Sequence, residues 1–197
     1  PHGIDSIQAD LSSIGLALKV NMFDDGKHAD GKANDDIYGS ELVTVNSLET
    51  GDIVFQVEGT DRAGNMNGTQ YTVRLDNIQP SVGRVNTTYP AGRTKAQDGY
   101  SIYVVSNCSD GQTGLGNVYL DASNIGGANQ VPMRDDGLGN DETAYDGDYS
   151  SENVTVTTGL VSGVYTYTVN AYDKAGNLGS QSGNIEIFND VVFIMYI

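Results

Sequence analysis

The chain has 197 residues with 26 acidic and 10 basic side chains, which gives a formal net charge of -16. This charge excludes a protein that binds nucleic-acid phosphates, because too few cations are present to neutralise them. The single cysteine, Cys108, excludes both an internal disulfide framework and a zinc site built on clustered cysteines.

An internal repeat organises the chain. Residues 7–45 align with residues 118–156 at an offset of 111, and 19 of these 39 pairs are identical. One extra residue in the second copy then moves the offset to 112, and the match continues to Asn65/Asn177. The second copy also has a leader, from about Ile78 to Gln112, that the first copy lacks.

Alternation of β-branched and aromatic residues with a period of two predicts strands over 53–58, 71–75, 100–105 and 164–169. Glycine, asparagine and aspartate separate these segments, and no window shows a helical stripe. Short strands at this spacing, in a module of about 110 residues, predict an all-β fold of tandem immunoglobulin-like β-sandwiches, the first of which lacks its N-terminal strands.

Two clusters of acidic residues lie at equivalent positions of the two copies. Dense carboxylates around glycines suit Ca²⁺, which takes about 6 to 8 oxygen ligands, and their mutual repulsion favours a counter-ion. The alternative is a solvated loop in which Asp side chains accept backbone N–H groups. We predict Ca²⁺ as a cofactor, with the candidate ligands Asp24, Asp25, Asp30 and Asp35 in the first copy and Asp135, Asp136, Asp141 and Asp146 in the second.

Two Asp-x-Ala-Gly-Asn segments, Asp61–Asn65 and Asp173–Asn177, predict hairpin turns. Each supplies a side-chain acceptor followed by a glycine that tolerates positive φ. The less favoured alternative is that Asp61 and Asp173 contribute to a metal site.

Other chemistry has little support in the sequence. His2 and His28 are not matched between the copies, which excludes a repeated histidine-based site, and we expect His28 to be an exposed loop residue. No nucleophile elbow or phosphate-binding glycine loop is present, and we predict no enzymatic activity. Four Asn-x-Ser/Thr sequons are candidate glycosylation sites: Asn67, Asn86, Asn107 and Asn153.

The repeated pattern resembles a known family. It comprises Asp135-Asp136-Gly137 through Tyr149, then Gly163 to Val169, then Asp173 to Asn177. It resembles the Ig-like or fibronectin-like modules repeated in large surface proteins of bacteria and archaea. This resemblance implies stalks, adhesins, envelope components or spacers of secreted enzymes. The first copy departs from it at Asp36, where a glycine is usual, and we expect its loop to turn differently.

The repeat predicts three parts of the chain. Residues 1–77 form a partial module without its front strands, residues 78–189 form a complete module, and residues 190–197 form an apolar β tail. The chain begins at Pro1 without a leader pattern, so we expect a processed or excised piece. A truncated sandwich leaves sheet edges and core residues uncovered.

We expect the tail, or the leader of another chain, to supply a donor strand that completes the first module of a neighbouring chain by β-augmentation. The alternative is that Pro1 reflects proteolysis and the tail begins a third module. The tail is too short for a membrane-spanning helix, which needs roughly 20 residues. The predicted assembly residues are Val191, Val192, Phe193, Ile194, Met195, Tyr196 and Ile197.

Taken together, these features predict an extracellular or cell-surface structural protein. It would form part of a surface layer, sheath, filament or adhesive stalk, stabilised by calcium. Its partners would be copies of itself, neighbouring Ig-like modules or surface glycans. The alternative is a carbohydrate-binding or spacer module from a large secreted hydrolase.

Overall fold

The computed structural model describes residues 3–16, 19–45 and 50–189. The predicted assembly residues of the tail lie outside these ranges. The chain divides into a first compact unit that ends at Asn77 and a second that begins at Ile78. Within the described residues, the regular structure consists of β-strands and two 3-10 turns.

The first unit is a four-stranded antiparallel sheet. Its strands are β1 (Ile4–Asp10), β2 (Val20–Met22), β3 (Gly51–Asp61) and β4 (Met66–Leu75). They are hydrogen-bonded in the order β2-β1-β3-β4. A 3-10 turn at Ser12–Ile14 links β1 to β2.

The second unit repeats this sheet and adds a second layer. Four of its strands lie in the order β8-β7-β11-β12, which is the order of their repeat counterparts in the first unit. Strand β6 pairs with β5, β9 and β10, and β9 also pairs with β8. The eight strands are β5 (Ser81–Thr88), β6 (Ser101–Ser109), β7 (Leu115–Asp121), β8 (Val131–Arg134), β9 (Asp148–Ser151), β10 (Val154–Thr155), β11 (Gly163–Asp173) and β12 (Leu178–Ile187).

Side chains of both layers meet in the core of the second unit. Because successive side chains of a strand point to opposite faces, every second residue of each strand faces inward. Ile102 of β6 is buried together with Leu120 of β7, Val169 of β11 and Ile185 of β12. Strand β5 packs over β11 and β12. The two layers therefore form a closed β-sandwich.

The equivalent sheet face of the first unit is apolar, and no described residue forms a second layer of strands over it. Its small core is centred on Ala9, Leu11 and Ile14. Val73 of β4 is 39% exposed, whereas its repeat counterpart Ile185 is 0% exposed. Among the described residues of the first unit, none forms a counterpart of β5 and β6.

The sequence-based fold prediction is confirmed. The segments 53–58, 71–75 and 164–169 lie within β3, β4 and β11, and the segment predicted over 100–105 begins one residue later, at Ser101. Across residues 3–16, 19–45 and 50–189, no helix combines the length and apolar character that crossing a bilayer requires.

The difference between the two sheet faces predicts unequal costs for matched truncations. Ile185→Ala should lower the free energy of unfolding of the second unit by about 3 kcal/mol, because it leaves a cavity in a closed core. Val73→Ala should cost the first unit less than about 1 kcal/mol, because its side chain already contacts water. Urea unfolding, monitored in each unit by hydrogen exchange, would measure both changes in unfolding free energy. Equal losses in the two units would contradict the difference between their sheet faces.

Candidate metal centre

The second acid loop runs from Asp135 to Gly147 and connects β8 to β9. The Asp135 carboxylate accepts the backbone N–H of Asp146 through Oδ1 at 3.1 Å and that of Gly147 through Oδ2 at 3.0 Å. These bonds tie the beginning of the loop to its end. Since β8 also pairs with β9, both ends of the loop are fixed to the sandwich.

Three of the predicted ligands converge in this loop. Carboxylate oxygens of Asp135, Asp141 and Asp146 all lie within 4.8 Å of one another. Ca²⁺ binds oxygen at about 2.4 Å, so two ligands on opposite sides of the ion are about 4.8 Å apart. The trio therefore fits around one Ca²⁺ ion, with further oxygens to be supplied by water or by backbone carbonyls.

The three acids differ in their surroundings. Asp141 is buried, and its Oδ2 accepts the backbone N–H of Gly137. Asp146 is exposed, and its Oδ1 accepts the N–H of Asp148 at 2.9 Å. Asp136, which the sequence also nominated, lies outside the trio and accepts the N–H of Leu138 at 3.0 Å.

The first acid loop uses its carboxylates differently. Asp24 accepts three backbone N–H groups, from Asn34 at 2.6 Å, Asp35 at 3.2 Å and Asp36 at 3.1 Å. Within the part of the chain that the structure describes, Asp24, Asp30 and Asp35 form no cluster like that of the second loop. This arrangement matches the alternative of a loop held by side-chain acceptors.

Asp30 is the buried anchor of the first loop. Its carboxylate accepts the N–H groups of Asp25 at 2.5 Å, Gly26 at 2.7 Å and His28 at 3.0 Å. Burial opposes ionisation of Asp30, but these backbone donors outweigh it and hold the pKa of the carboxyl below its ordinary value.

His28 is not the exposed loop residue that the sequence suggested. Its side chain is 17% exposed, because the ring packs against Phe23 at a centroid distance of 4.6 Å. Nδ1 lies 2.8 Å from Asp25 Oδ1 and Nε2 lies 3.0 Å from Glu41 Oε1. The Asp25 carboxylate raises the pKa of His28, against a smaller opposing effect of burial, and Glu41 adds to the increase. Asp25, a predicted Ca²⁺ ligand, is therefore hydrogen-bonded to the His28 imidazole.

The expectation that Asp36 would change the turn is wrong. Asp36 adopts φ 65°, in the same left-handed region as its counterpart Gly147 at φ 88°. Both backbone N–H groups also reach the same acceptor position, Oδ2 of Asp24 and of Asp135. Aspartate is among the few residues that tolerate this conformation at low cost.

The two predicted hairpin turns are confirmed. Asp61 Oδ1 accepts the N–H groups of Ala63 at 2.8 Å and Asn65 at 2.9 Å, and Asp173 Oδ1 accepts that of Asn177 at 2.8 Å. Gly64 follows with φ 84°. The Asn65 side chain and backbone donors lower the pKa of Asp61, which favours its ionised form as an acceptor.

Sequence reasoning missed Asp110. A carboxylate oxygen of this residue lies within 4.8 Å of one of Asp173. Its Oδ1 is buried and has no hydrogen-bond partner among the described residues, whereas Oδ2 accepts the N–H groups of Gln112 and Gly114. Asp110 belongs to the leader that only the second copy has, so the repeat comparison gave no signal for it.

The four sequon asparagines are accessible. Asn67, Asn86, Asn107 and Asn153 are all exposed. The Asn107 amide donates to Asp148 Oδ1 at 3.0 Å. Glycosylation of these residues stays a prediction.

The comparisons with known proteins agree with this architecture. A family profile described as the conditioned medium factor 2nd Ig-like domain matches residues 2–70, within the first unit. The second unit repeats the strand order of the first and closes it into a sandwich. The chain consists of tandem Ig-like modules. The comparison with curated protein sequences found no match.

Two solved structures are among those found to be similar to this chain. The fibronectin(III)-like modules of Clostridium thermocellum CbhA show 15% identity and a TM-score of 0.41 over 95% of this chain and 78% of that chain. The PcdhgB3 EC1-4 structure shows 11% identity and a TM-score of 0.30 over 94% of this chain and 41% of that chain.

The Asp30 anchor predicts acid-sensitive stability of the first Ig-like module. Asp30→Ala removes the acceptor of three N–H groups and should lower the melting temperature of this module at neutral pH. Because the folded-state pKa is depressed, the stabilisation is present above the ordinary carboxyl pKa of about 3.9 and is lost as the pH falls through the lowered value. The gap between wild type and variant should therefore close in acid, and a gap independent of pH would contradict this role.

The His28 pairs predict a second pH dependence, of opposite sign. A raised folded-state pKa gives stabilisation that is complete below the ordinary value of about 6.5 and is lost as the pH rises through the raised value. Melting of the first Ig-like module should therefore occur at lower temperature as the pH rises through this window. His28→Gln should remove the dependence, and a variant that keeps it would exclude His28 as the source.

Proposed function

We propose that the chain is an extracellular structural protein whose Ig-like modules form part of a cell-surface layer, sheath, filament or adhesive stalk. In this proposal Ca²⁺ stiffens the second module. Ig-like modules are often extracellular and typically non-catalytic, which supports a mechanical role. Function nevertheless belongs to sites rather than to folds, so the proposal depends on what the acid loop does.

The observation that carries the proposal is the convergence of Asp135, Asp141 and Asp146. Three carboxylates within 4.8 Å of one another repel each other unless a cation lies between them. None of the ion pairs found among the described residues supplies a lysine, arginine or histidine to this trio. Hard oxygen donors without nitrogen or sulfur favour Ca²⁺ over transition metals.

The position of the loop explains how an ion would stiffen the module. The loop joins β8, which pairs with β7, to β9, which pairs with β6. An ion held by residues at the start, middle and end of this loop would fix the connection between the two layers. Ca²⁺ that binds only the folded state would also stabilise it by mass action.

Calcium-dependent melting tests this proposal. With Ca²⁺ at about 100 times its Kd, the second Ig-like module should gain about 2.7 kcal/mol in unfolding free energy relative to EDTA. Asp146→Asn, at an exposed ligand, should remove most of this gain. Asp35→Asn, at the equivalent position of the first module, is the matched control and should leave the gain unchanged. A wild-type melting temperature that is the same in Ca²⁺ and EDTA would overturn the calcium role.

A further inference from the structure

Strand β4 is the edge strand of the four-stranded sheet that the described residues form. It pairs with β3 over ten consecutive residue pairs without a bulge, and no described residue pairs with its other side. Natural edge strands are usually blunted by lysines, prolines, bulges or a short length. Strand β4 has ten residues, no proline and a single charged residue, Arg74 near its end. Among the described residues no strand pairs with the outer side of 66–73, and this stretch is the part of the edge on which another strand could add.

The second Ig-like module shows how the equivalent edge is covered. Ala96 forms a parallel bridge with Ile187 at the end of β12. Its N–H donates to Glu186 O at 3.0 Å, and its carbonyl accepts from Phe188 N at 2.9 Å. Strand β5 also packs over β12. Among the described residues, the first module has no counterpart of either contact.

The exposed apolar residues of the first sheet concentrate on this edge. Tyr71 and Val73 of β4 are 53% and 39% exposed, and Tyr71 stacks on Phe55 of β3 at 6.0 Å. The counterpart of Phe55 is Tyr167, whose hydroxyl lies 2.6 Å from the Thr87 hydroxyl of its covering strand. Phe55 has no hydroxyl, so this hydrogen bond has no equivalent in the first module.

We propose that residues 191–197 of a second copy of this chain add to β4 as a fifth strand. This inference rests on the proposed structural function and names its partner. The segment is separated from Asn189, the last described residue, by Asp190 alone, and it consists of seven apolar residues without charge or proline. Extended at about 3.3 Å per residue it spans about 23 Å, which is shorter than the ten-residue β4 at about 33 Å.

Such pairing combines two sources of affinity. The backbone of the added strand completes the hydrogen bonds of β4, and its side chains lie beside Tyr71 and Val73 as cross-strand neighbours. Donor and acceptor are different surfaces of the chain, so the contact is heterologous and need not close into a dimer. The expected product is a head-to-tail series of chains.

Sedimentation velocity of the full 197-residue chain, over a range of concentrations, tests this pairing. The wild type should show species above the 20.9 kDa monomer that grow with concentration. A chain ending at Asn189 should remain monomeric. A peptide of residues 190–197 with appended solubilising lysines should break up the wild-type species when it is in excess.

A point variant distinguishes pairing at the β4 edge from nonspecific association. Tyr71→Lys places a charge on the edge strand and should weaken association at least tenfold. Val164→Lys introduces the same charge at a 69% exposed position of β11 and should leave association unchanged. Far-UV circular dichroism and melting of each variant would show that both modules stay folded.

The outcomes are decisive and separate from those of the calcium test. A wild-type chain that is monomeric at all concentrations, or association that survives removal of residues 190–197, would overturn the strand pairing. Association lost in Tyr71→Lys but kept in the shortened chain would mean that the open faces pair with each other, which also overturns it. Asp146→Asn should associate as the wild type does. The association experiment can therefore be interpreted even if the calcium role fails its own test.

Discussion

Burial of one apolar sheet face beneath a second layer of strands is the interaction on which both modules depend. In the second module β5 and β6 cover the face formed by β7, β11 and β12, and Ile185 and Val169 are removed from water completely. In the first module the same strand order presents a similar apolar face with β4 at its edge, and Val73 remains in contact with solvent. A single repeat thus appears, in the described residues, as one closed sandwich and one sheet without a second layer, and this sheet is the surface on which we propose assembly.

The acid loops show how one sequence pattern gives two arrangements of carboxylates. In both copies the first Asp of the loop accepts backbone N–H groups from the end of the loop, which ties the two ends of the loop together. In the first copy Asp30 is satisfied by three backbone donors and Asp25 by His28. In the second copy Asp141 and Asp146 approach Asp135, and the excess negative charge there is what a cation would offset. The hydrogen-bond partners of each carboxylate, rather than the number of acidic residues, distinguish the two loops.

Much of this fold was predictable because its determinants are local and repeated. Alternation over 53–58 and 164–169 predicts strands whichever partner they pair with, and the Asp-x-Ala-Gly-Asn turns depend on contacts within five residues. The candidate metal site was harder to predict from the sequence, because convergence of Asp135 with Asp141 and Asp146 depends on how the loop closes in three dimensions. The turn at Asp36 and the packing of His28 on Phe23 likewise follow from backbone geometry and tertiary contact, which residue spacing does not encode.

The central claim is that the edge at β4 is open in a single chain and covered by a second one. Hydrogen exchange measured by mass spectrometry at several protein concentrations tests it directly, with Met66–Leu75 compared against Leu178–Ile187. The account predicts that the β4 segment exchanges quickly in dilute protein and becomes protected as the concentration rises, while the β12 segment keeps its protection unchanged. Equal protection of both segments in dilute protein, or a β4 segment that stays unprotected at every concentration, would contradict it.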